Sequence, residues 1–563
     1  MKALDAYSLE IKEKMHMNMK KIGLIAILSL MVCSAWAVPA RKDGMLITQP
    51  DGSQIMVYQH GDEYFHWMTN DNGEWLKMDT DGFYRVTEAL STEAIETKRM
   101  ASPRRVVYKE TPLNIAPRGL VILVNFQDLT FTTSIEEMDS MLMGEHYTRD
   151  YSYTYRGKSY HITSEGSARQ YFNDASFGQY NPQLDVIGPV MVKSNMKYYG
   201  ANNSSGNDKA PEIMIKEACE LVNDSVDFSL YDNDNDGYVD FVYVIYAGYG
   251  EADGGGDNTI WPHAWNLYSA AGQRCEVDGK IIDLYACGNE MDNYTKYHTG
   301  IGTFCHEFSH VLGLPDLYET TGNGTHKTFG EWSILDYGPY SNDGNTPPTY
   351  SAYERFFMGW LQPTLLVDSA EITLEELQAT NTALLISETD QHNLIGNDPN
   401  PTTFYMLENR QQTGWDKYLP GHGLMLTKIQ YSYTKWFNNT VNNSARNMGV
   451  NLIEADGQEP DYYANGYSGK PGDLFPEGAT EYLKIADHPI RNIEETDGVI
   501  YFRYKMEEKV HEPGTAVEDI ALSLDVLAIY NILGQKQTTT NLKELPRGTY
   551  VVVTAAGSKK IVL

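Results

Sequence analysis

The 563-residue sequence predicts an α/β (α+β) catalytic-type domain set between β-rich domains. Three observations carry this. Gly119–Phe126 is a continuous apolar run of the buried-strand kind. It is followed by helical patterns at Ser167–Gln179 and Pro211–Asn223, and by a β-branched, aromatic strand pattern at Asp240–Gly248. The stretches before and after this block break into short alternating runs, such as Gln54–Tyr58 and Glu63–Met68. These are separated by turn signals such as Asn70-Asp71-Asn72-Gly73 and Asp79-Thr80-Asp81-Gly82. Hydrophobic content of 42% and charged content of 21% are ordinary for a folded globular protein, and the length calls for several domains.

The boundaries follow from these patterns: a signal peptide over 1–37, a β-rich prodomain over 38–116, the α/β domain over 117–362, a β-sandwich-like domain over 363–510, and a small terminal β module over 515–563. Within the α/β domain the reading expects an edge strand near Asp283–Ala286. The signal is Lys20-Lys21, then the apolar run Ile22–Val32, then Ala35-Trp36-Ala37 as a cleavage site. No later segment is apolar and long enough to span a bilayer. Arg104-Arg105 is a candidate processing site in an exposed linker. A formal net charge of −32 argues against nucleic acid and anionic membranes as partners and is compatible with bound calcium.

Beyond the signal, Cys219, Cys275, Cys287 and Cys305 remain, none in a C-x-x-C pair. An exported chain can pair such thiols, and Cys275 with Cys287 would close a hairpin. Cys305 abuts His306 and is expected to be buried. No Cys lies between the signal and residue 115, so a prosegment thiol cannot cap a metal.

The most specific segment is His306-Glu307-Phe308-Ser309-His310-Val311-Leu312-Gly313-Leu314-Pro315-Asp316, an H-E-x-x-H-x-x-G-x-x-D pattern. On a helix, residues four apart share a face, so both imidazoles can bind one Zn²⁺ with Glu307 beside them as a general base. Gly313 can end the helix through a positive φ and bring Asp316 back as third ligand. Glu319, close behind, is the alternative third ligand. Three protein ligands leave a position for water, the arrangement of a catalytic site.

Trp332-Ser333-Ile334-Leu335-Asp336-Tyr337-Gly338 follows. Together with the long zinc motif it resembles zinc endopeptidases of the metzincin kind, which carry a tight Met-containing turn beneath the metal. Here Leu335 stands in the Met position and Asp316 where most metzincins have a third His. The resemblance implies amide hydrolysis, with Glu307 moving the proton and Tyr337 assisting at the oxyanion.

Asp232-Asn233-Asp234-Asn235-Asp236-Gly237-Tyr238-Val239-Asp240 sets oxygen ligands at alternate positions with Gly at the sixth, a pattern suited to a structural Ca²⁺ held by Asp232, Asp234, Asp236, Tyr238 and Asp240. The twelfth position is Tyr243 rather than Glu, so it is not a full EF-hand. His263 reads as a hydrogen-bonded loop residue rather than a ligand.

With Leu123-Val124-Asn125-Phe126, the aspartate loop and the segments Phe404–Arg410, Gly421–Leu424, Val450–Gly457 and Gly472–Pro476, the zinc motif resembles the immune inhibitor A family of secreted zinc metalloproteases over about 50–505. That resemblance implies protein substrates, zinc, calcium and synthesis as a zymogen. Glu408, Arg410 and Asp456 read as structural pairing inside the β-sandwich. The final stretch, with Ile529–Lys536, Leu545–Val552 and Lys559–Leu563, resembles the C-terminal sorting domain of the type IX secretion route. It implies a secretion-machinery partner, then release or surface attachment. A proteolytically inactive adhesion module on the same scaffold is the alternative from another class, and an exopeptidase is the alternative within zinc chemistry.

Overall fold

The computed structural model describes residues 38–63, 65–91, 94–95, 116–203, 206–272, 274–321, 326–457, 469–507, 526–531, 534–542, 545–546, 549–554 and 557–562. The expected signal and Arg104-Arg105 lie outside the described residues. One compact unit runs to Tyr504 and a second begins at Lys505.

Residues 45–86 form a five-stranded sheet whose strands pair antiparallel in sequence order. Its turns fall where the sequence places them, with Gly73 and Gly82 at φ 74° and 82°. Met45, Val57 and Met68 of this sheet share a buried cluster with Tyr294 of the α/β domain.

The α/β domain is built on a five-stranded sheet in the spatial order His263–Asn266, Leu284–Met291, Val242–Tyr249, Arg118–Asn125, Gln183–Met191. The last four strands run parallel to one another and His263–Asn266 runs antiparallel at the edge. The expected edge strand near residue 284 is therefore an interior strand. The short strand His263–Asn266 takes the edge instead, so His263 lies in a strand rather than a loop. Strand alternation divides the core. Val121 and Leu123 point to the face covered by helices Ile135–Met143, Ala168–Ala175 and Gly302–Val311. Leu120, Ile122 and Val124 point to the face covered by helix Pro211–Val222.

Helix Gly302–Val311 is buried on nearly every side. Phe308 meets Phe241 edge-on with ring centroids 4.4 Å apart, and Phe304 packs on Tyr243 at 4.5 Å. Such aromatic pairs add about 0.5–1.5 kcal/mol each beyond area burial. The helix that carries the zinc motif is thus fixed to the sheet by its apolar residues, and its polar residues are held at a defined place.

Residues 364–504 form a five-stranded and a three-stranded sheet. Leu384, Ile386, Tyr405, Leu407 and Leu426 of the first share a core with Ile493, Ile500, Phe502 and Tyr504 of the second. The opposite face of the larger sheet, through Leu385, Phe404, Met406, Met425 and Ile429, joins the core that also holds Phe304 and Phe308. Buried Arg410 is paired with Asp416 at 2.7 Å and Glu408 at 3.1 Å, a structural role as read from sequence. All four cysteines beyond the signal are buried free thiols, so the expected Cys275–Cys287 closure does not form. The hairpin register places Cys275 opposite Ile282, while Cys287 pairs across to His263. The second unit contains an antiparallel three-stranded sheet, Val526–Asn531, Thr549–Thr554 and Gly557–Val562. Among the described residues no helix is long and apolar enough to cross a membrane.

Candidate active site

The zinc motif folds as its spacing requires. The helix ends at Val311, Gly313 takes φ +97°, and the chain doubles back to bring Asp316 beside the two imidazoles. Gly302, at the helix start, lies so close to the turn that follows the motif that a Cβ there would sit 1.9 Å from the Pro339 carbonyl oxygen. Only glycine allows that approach.

His306, His310 and Asp316 are buried and offer ligand atoms within 4.8 Å of one another. The two Nε2 atoms stand 2.9 Å apart, and Asp316 Oδ1 lies 3.3 Å and 3.2 Å from them. Each imidazole also binds a backbone carbonyl through Nδ1: His306 to Ile334 at 2.6 Å and His310 to Leu314 at 2.8 Å. A carbonyl can only accept, so the hydrogen-bond network assigns the proton to Nδ1 in both rings. Two Nε2 lone pairs then converge on each other and on a buried carboxylate oxygen. That arrangement is repulsive without a cation at its centre, and two imidazoles with one carboxylate are a zinc donor set. Burial raises the Asp316 carboxyl, and only positive charge on the facing side, of the sign a cation at that point would supply, holds it down at about 2. Glu319, the alternative third ligand, is turned away toward Thr321 and His326.

The turn that follows the motif touches it through Ile334. Ile334 supplies the carbonyl that orients His306, Leu335 is fully buried, and Leu335 O accepts from Leu317 N at 2.8 Å. Asp336 Oδ2 is held by Thr328 Oγ1 and Gly330 N at 2.6 and 2.8 Å. The Tyr337 ring is covered by Lys42 Nζ, 3.4 Å from its centroid.

Glu307 is fully buried, and burial pushes its carboxyl well above the usual range. Its Oε1 accepts a 2.9 Å hydrogen bond from the backbone N–H of Val38. The residues that follow Val38 are also held by hydrogen bonds. Val38 O accepts from Trp261 Nε1 at 3.0 Å, Pro39 O accepts from Tyr340 Oη at 2.6 Å, and Ala40 N donates to Gly61 O at 2.8 Å. Sequence reasoning placed residues 38–44 in a prodomain but not inside the site. No local pattern marks a segment whose partner is 269 positions away.

A second set of residues escaped sequence reasoning. Asn439, Asn442 and Asn443, from the sandwich domain, bind the Asp316–Thr320 segment. Asn442 Nδ2 donates to Leu317 O at 2.7 Å, and Asn443 Oδ1 accepts from Thr320 N at 2.8 Å. The run Asn438-Asn439-Thr440-Val441-Asn442-Asn443 was the available signal, though it reads equally well as a loop.

In the aspartate loop the structure brings Asp232, Asp234 and Asp236 together. Asp240 is not part of that group; its Oδ2 accepts from Asn233 N and Nδ2 at 2.6 and 2.8 Å. Tyr238 is bridged to Ile281 through its backbone. Three carboxylates fit a hard cation, while Lys280 Nζ already lies 2.7 Å from Asp232 Oδ2. His263 is bonded to Trp261 O at 2.7 Å and Tyr285 Oη at 3.0 Å and faces no metal group.

Residues 114–362 match the family described as Immune inhibitor A peptidase M6, catalytic domain. Among curated proteins the chain is similar to Immune inhibitor A of Bacillus thuringiensis subsp. alesti, 27% identical over 269 residues, covering 42% of this chain and 39% of that protein. It is also similar to Pre-pro-metalloprotease PrtV of Vibrio cholerae serotype O1 (strain M66-2), 26% identical over 249 residues, covering 40% of this chain and 27% of that protein. The chain therefore spans well under half the length of these relatives.

Proposed function

We propose that the chain is a zinc-dependent endopeptidase, made as a zymogen and exported. The observation that carries the reading is the convergence of His306 Nε2, His310 Nε2 and Asp316 Oδ1 on one point, with Glu307 on the same helix. The match over 114–362 supports it. Zinc held by His306, His310 and Asp316 would supply the Lewis acidity that activates water near neutral pH. Glu307 takes the proton from the attacking water and hands it to the leaving amine. The Val38 N–H on Glu307 Oε1 supports this reading, as a backbone nitrogen standing where the leaving nitrogen would lie. Tyr337, in the turn beside the site, is the candidate oxyanion partner; the site is metzincin-like, with Leu335 in place of Met.

The same contact supports latency. Residues 38–42 occupy the cleft where a substrate's C-terminal side would lie, so a substrate cannot enter until they leave. Cleavage of the export signal after Ala37 would convert the Val38 N–H into an ammonium facing a buried carboxylate, a charge-assisted bond stronger than a neutral one. Calcium at Asp232, Asp234 and Asp236, with Tyr238 and Asp240 as further candidates, would fix the loop that precedes strand Val242–Tyr249. The terminal β module is proposed as the element read by secretion machinery, and extracellular proteins as substrates.

The test is cleavage of an internally quenched peptide blocked at both ends by the processed protein. The reading expects hydrolysis that a zinc chelator abolishes, zinc restores, and Glu307→Gln lowers by several orders of magnitude. No cleavage by any processed form would favour the adhesion-module reading. Cleavage restricted to peptides with a free end would favour an exopeptidase.

A further inference from the structure

Arg41 is a loop residue of the prosegment, yet it is only 4% exposed. Its guanidinium enters a pocket of the α/β domain. Nη1 donates to Asp292 Oδ2 at 2.6 Å and Nη2 to Asp343 Oδ1 at 2.6 Å. The group lies 4.1 Å from the centroid of the Tyr294 ring and 6.0 Å from that of Tyr340. Its backbone is fixed by Arg41 N to Ala252 O at 3.1 Å.

Both carboxylates are oriented by groups other than Arg41. Asp292 Oδ1 accepts from the backbone N–H groups of Tyr294 and Thr295 at 2.8 and 2.7 Å. Asp343 Oδ2 accepts from Tyr153 Oη at 2.6 Å. Each carboxylate therefore keeps one oxygen tied down by the α/β domain and presents the other to the guanidinium. Asp43, which also bonds Arg41 Nε at 2.9 Å, belongs to the prosegment and leaves with it. What remains is a pocket of two fixed carboxylates and two tyrosine rings, whose buried charge is costly to leave without a cation.

Direction and distance along the chain assign the pocket. The nitrogen on Glu307 is that of Val38, so residues after it occupy the C-terminal side of the scissile bond, and Arg41 is the fourth of them. We infer that the pocket formed by Asp292, Asp343, Tyr294 and Tyr340 is a substrate subsite that accepts a basic side chain, arginine above lysine, at the fourth residue C-terminal to the cleaved bond. Arginine is favoured because a planar fork can meet two carboxylates at once and stack on tyrosine, which a point-charge ammonium cannot do equally well. The inference rests on the protease reading and on residues 38–41 lying in the substrate direction.

The experiment uses the processed, zinc-replete protein and a series of doubly blocked quenched peptides that differ only at that position: Arg, Lys, Gln or Glu. The expected order of kcat/KM is Arg, Lys, Gln, Glu, with Arg over Gln by about 10–100-fold, the span of a charge-assisted hydrogen-bond pair. Asp292→Asn and Asp343→Asn should each collapse the Arg:Gln ratio toward unity. That readout is independent of the absolute rate, and zinc content checks that each variant folds. A peptide of sequence Val-Pro-Ala-Arg-Lys-Asp should inhibit, and its Gln-for-Arg version should inhibit about 10–100-fold less well. Cleavage of all four peptides at similar rates, or a ratio unchanged in both Asn variants, overturns this inference while leaving the protease reading intact. No cleavage of any peptide overturns both.

Discussion

Asn439 grips Asp316 at both ends: its Oδ1 accepts from the Asp316 N–H at 2.8 Å and its Nδ2 donates to Asp316 Oδ2 at 2.5 Å. Asp316 Oδ1 is thereby left facing the two imidazoles. A residue 123 positions away thus orients the carboxylate proposed as the third metal ligand. Loss of such a supporting bond typically costs 10–100-fold in metal affinity. Asn439→Ala is expected to weaken zinc binding by about that factor in a chelator competition, with far-ultraviolet circular dichroism unchanged. An affinity within twofold of wild type would show that the clamp does not tune the site.

Tyr337 follows the turn residues Ile334 and Leu335, and its ring is covered by Lys42. If its hydroxyl stabilises the oxyanion, Tyr337→Phe should lower kcat by about 10²-fold with KM little changed. Equal loss in KM and none in kcat would instead mark it as a binding surface.

Burial pushes His263 down to about 4. Its unfolded reference is about 6.5. Between these values the unfolded chain binds a proton that the folded chain refuses, so stability falls as the solution is acidified through that window. Above about 6.5 the contribution is constant. The slope is about 1.4 kcal/mol per pH unit, and His263→Gln should flatten it. Urea midpoints measured from pH 7 to pH 4 check this; identical slopes for both proteins would refute it.

Calcium at the aspartate loop should raise the melting temperature of the wild type. The gain is about 2.7 kcal/mol at a hundredfold excess over Kd. Asp234→Ala should remove that gain. Lys280→Met should strengthen calcium binding, because Lys280 Nζ competes for Asp232 at 2.7 Å. A melting temperature indifferent to calcium in all three proteins would refute a cation site in this loop.

Legibility in the sequence followed range. His306, Glu307, His310, Gly313 and Asp316 lie within eleven residues, so helical periodicity and one glycine turn fix their geometry. The same holds for the 242–249 strand and the 211–222 helix; in the aspartate turn the spacing brings Asp232, Asp234 and Asp236 together but not Asp240. The sheet order was not legible at its edge, because pairing of 263–266 with 284–291 is a tertiary choice that no local pattern encodes. Val38 on Glu307 and Asn439 on Asp316 escaped for the same reason: backbone N–H groups and loop asparagines carry no sequence signature of a distant partner. The cysteines misled because exported proteins often form disulfides, whereas these four are packed singly as small apolar side chains.

The most direct test of the central claim is metal content and hydrolysis measured together on processed wild type, His310→Ala and Glu307→Gln. The account predicts one zinc per chain with peptide cleavage in the wild type, loss of both in His310→Ala, and retained zinc without cleavage in Glu307→Gln. Zinc content unaffected by His310→Ala, or undiminished cleavage by Glu307→Gln, would contradict it.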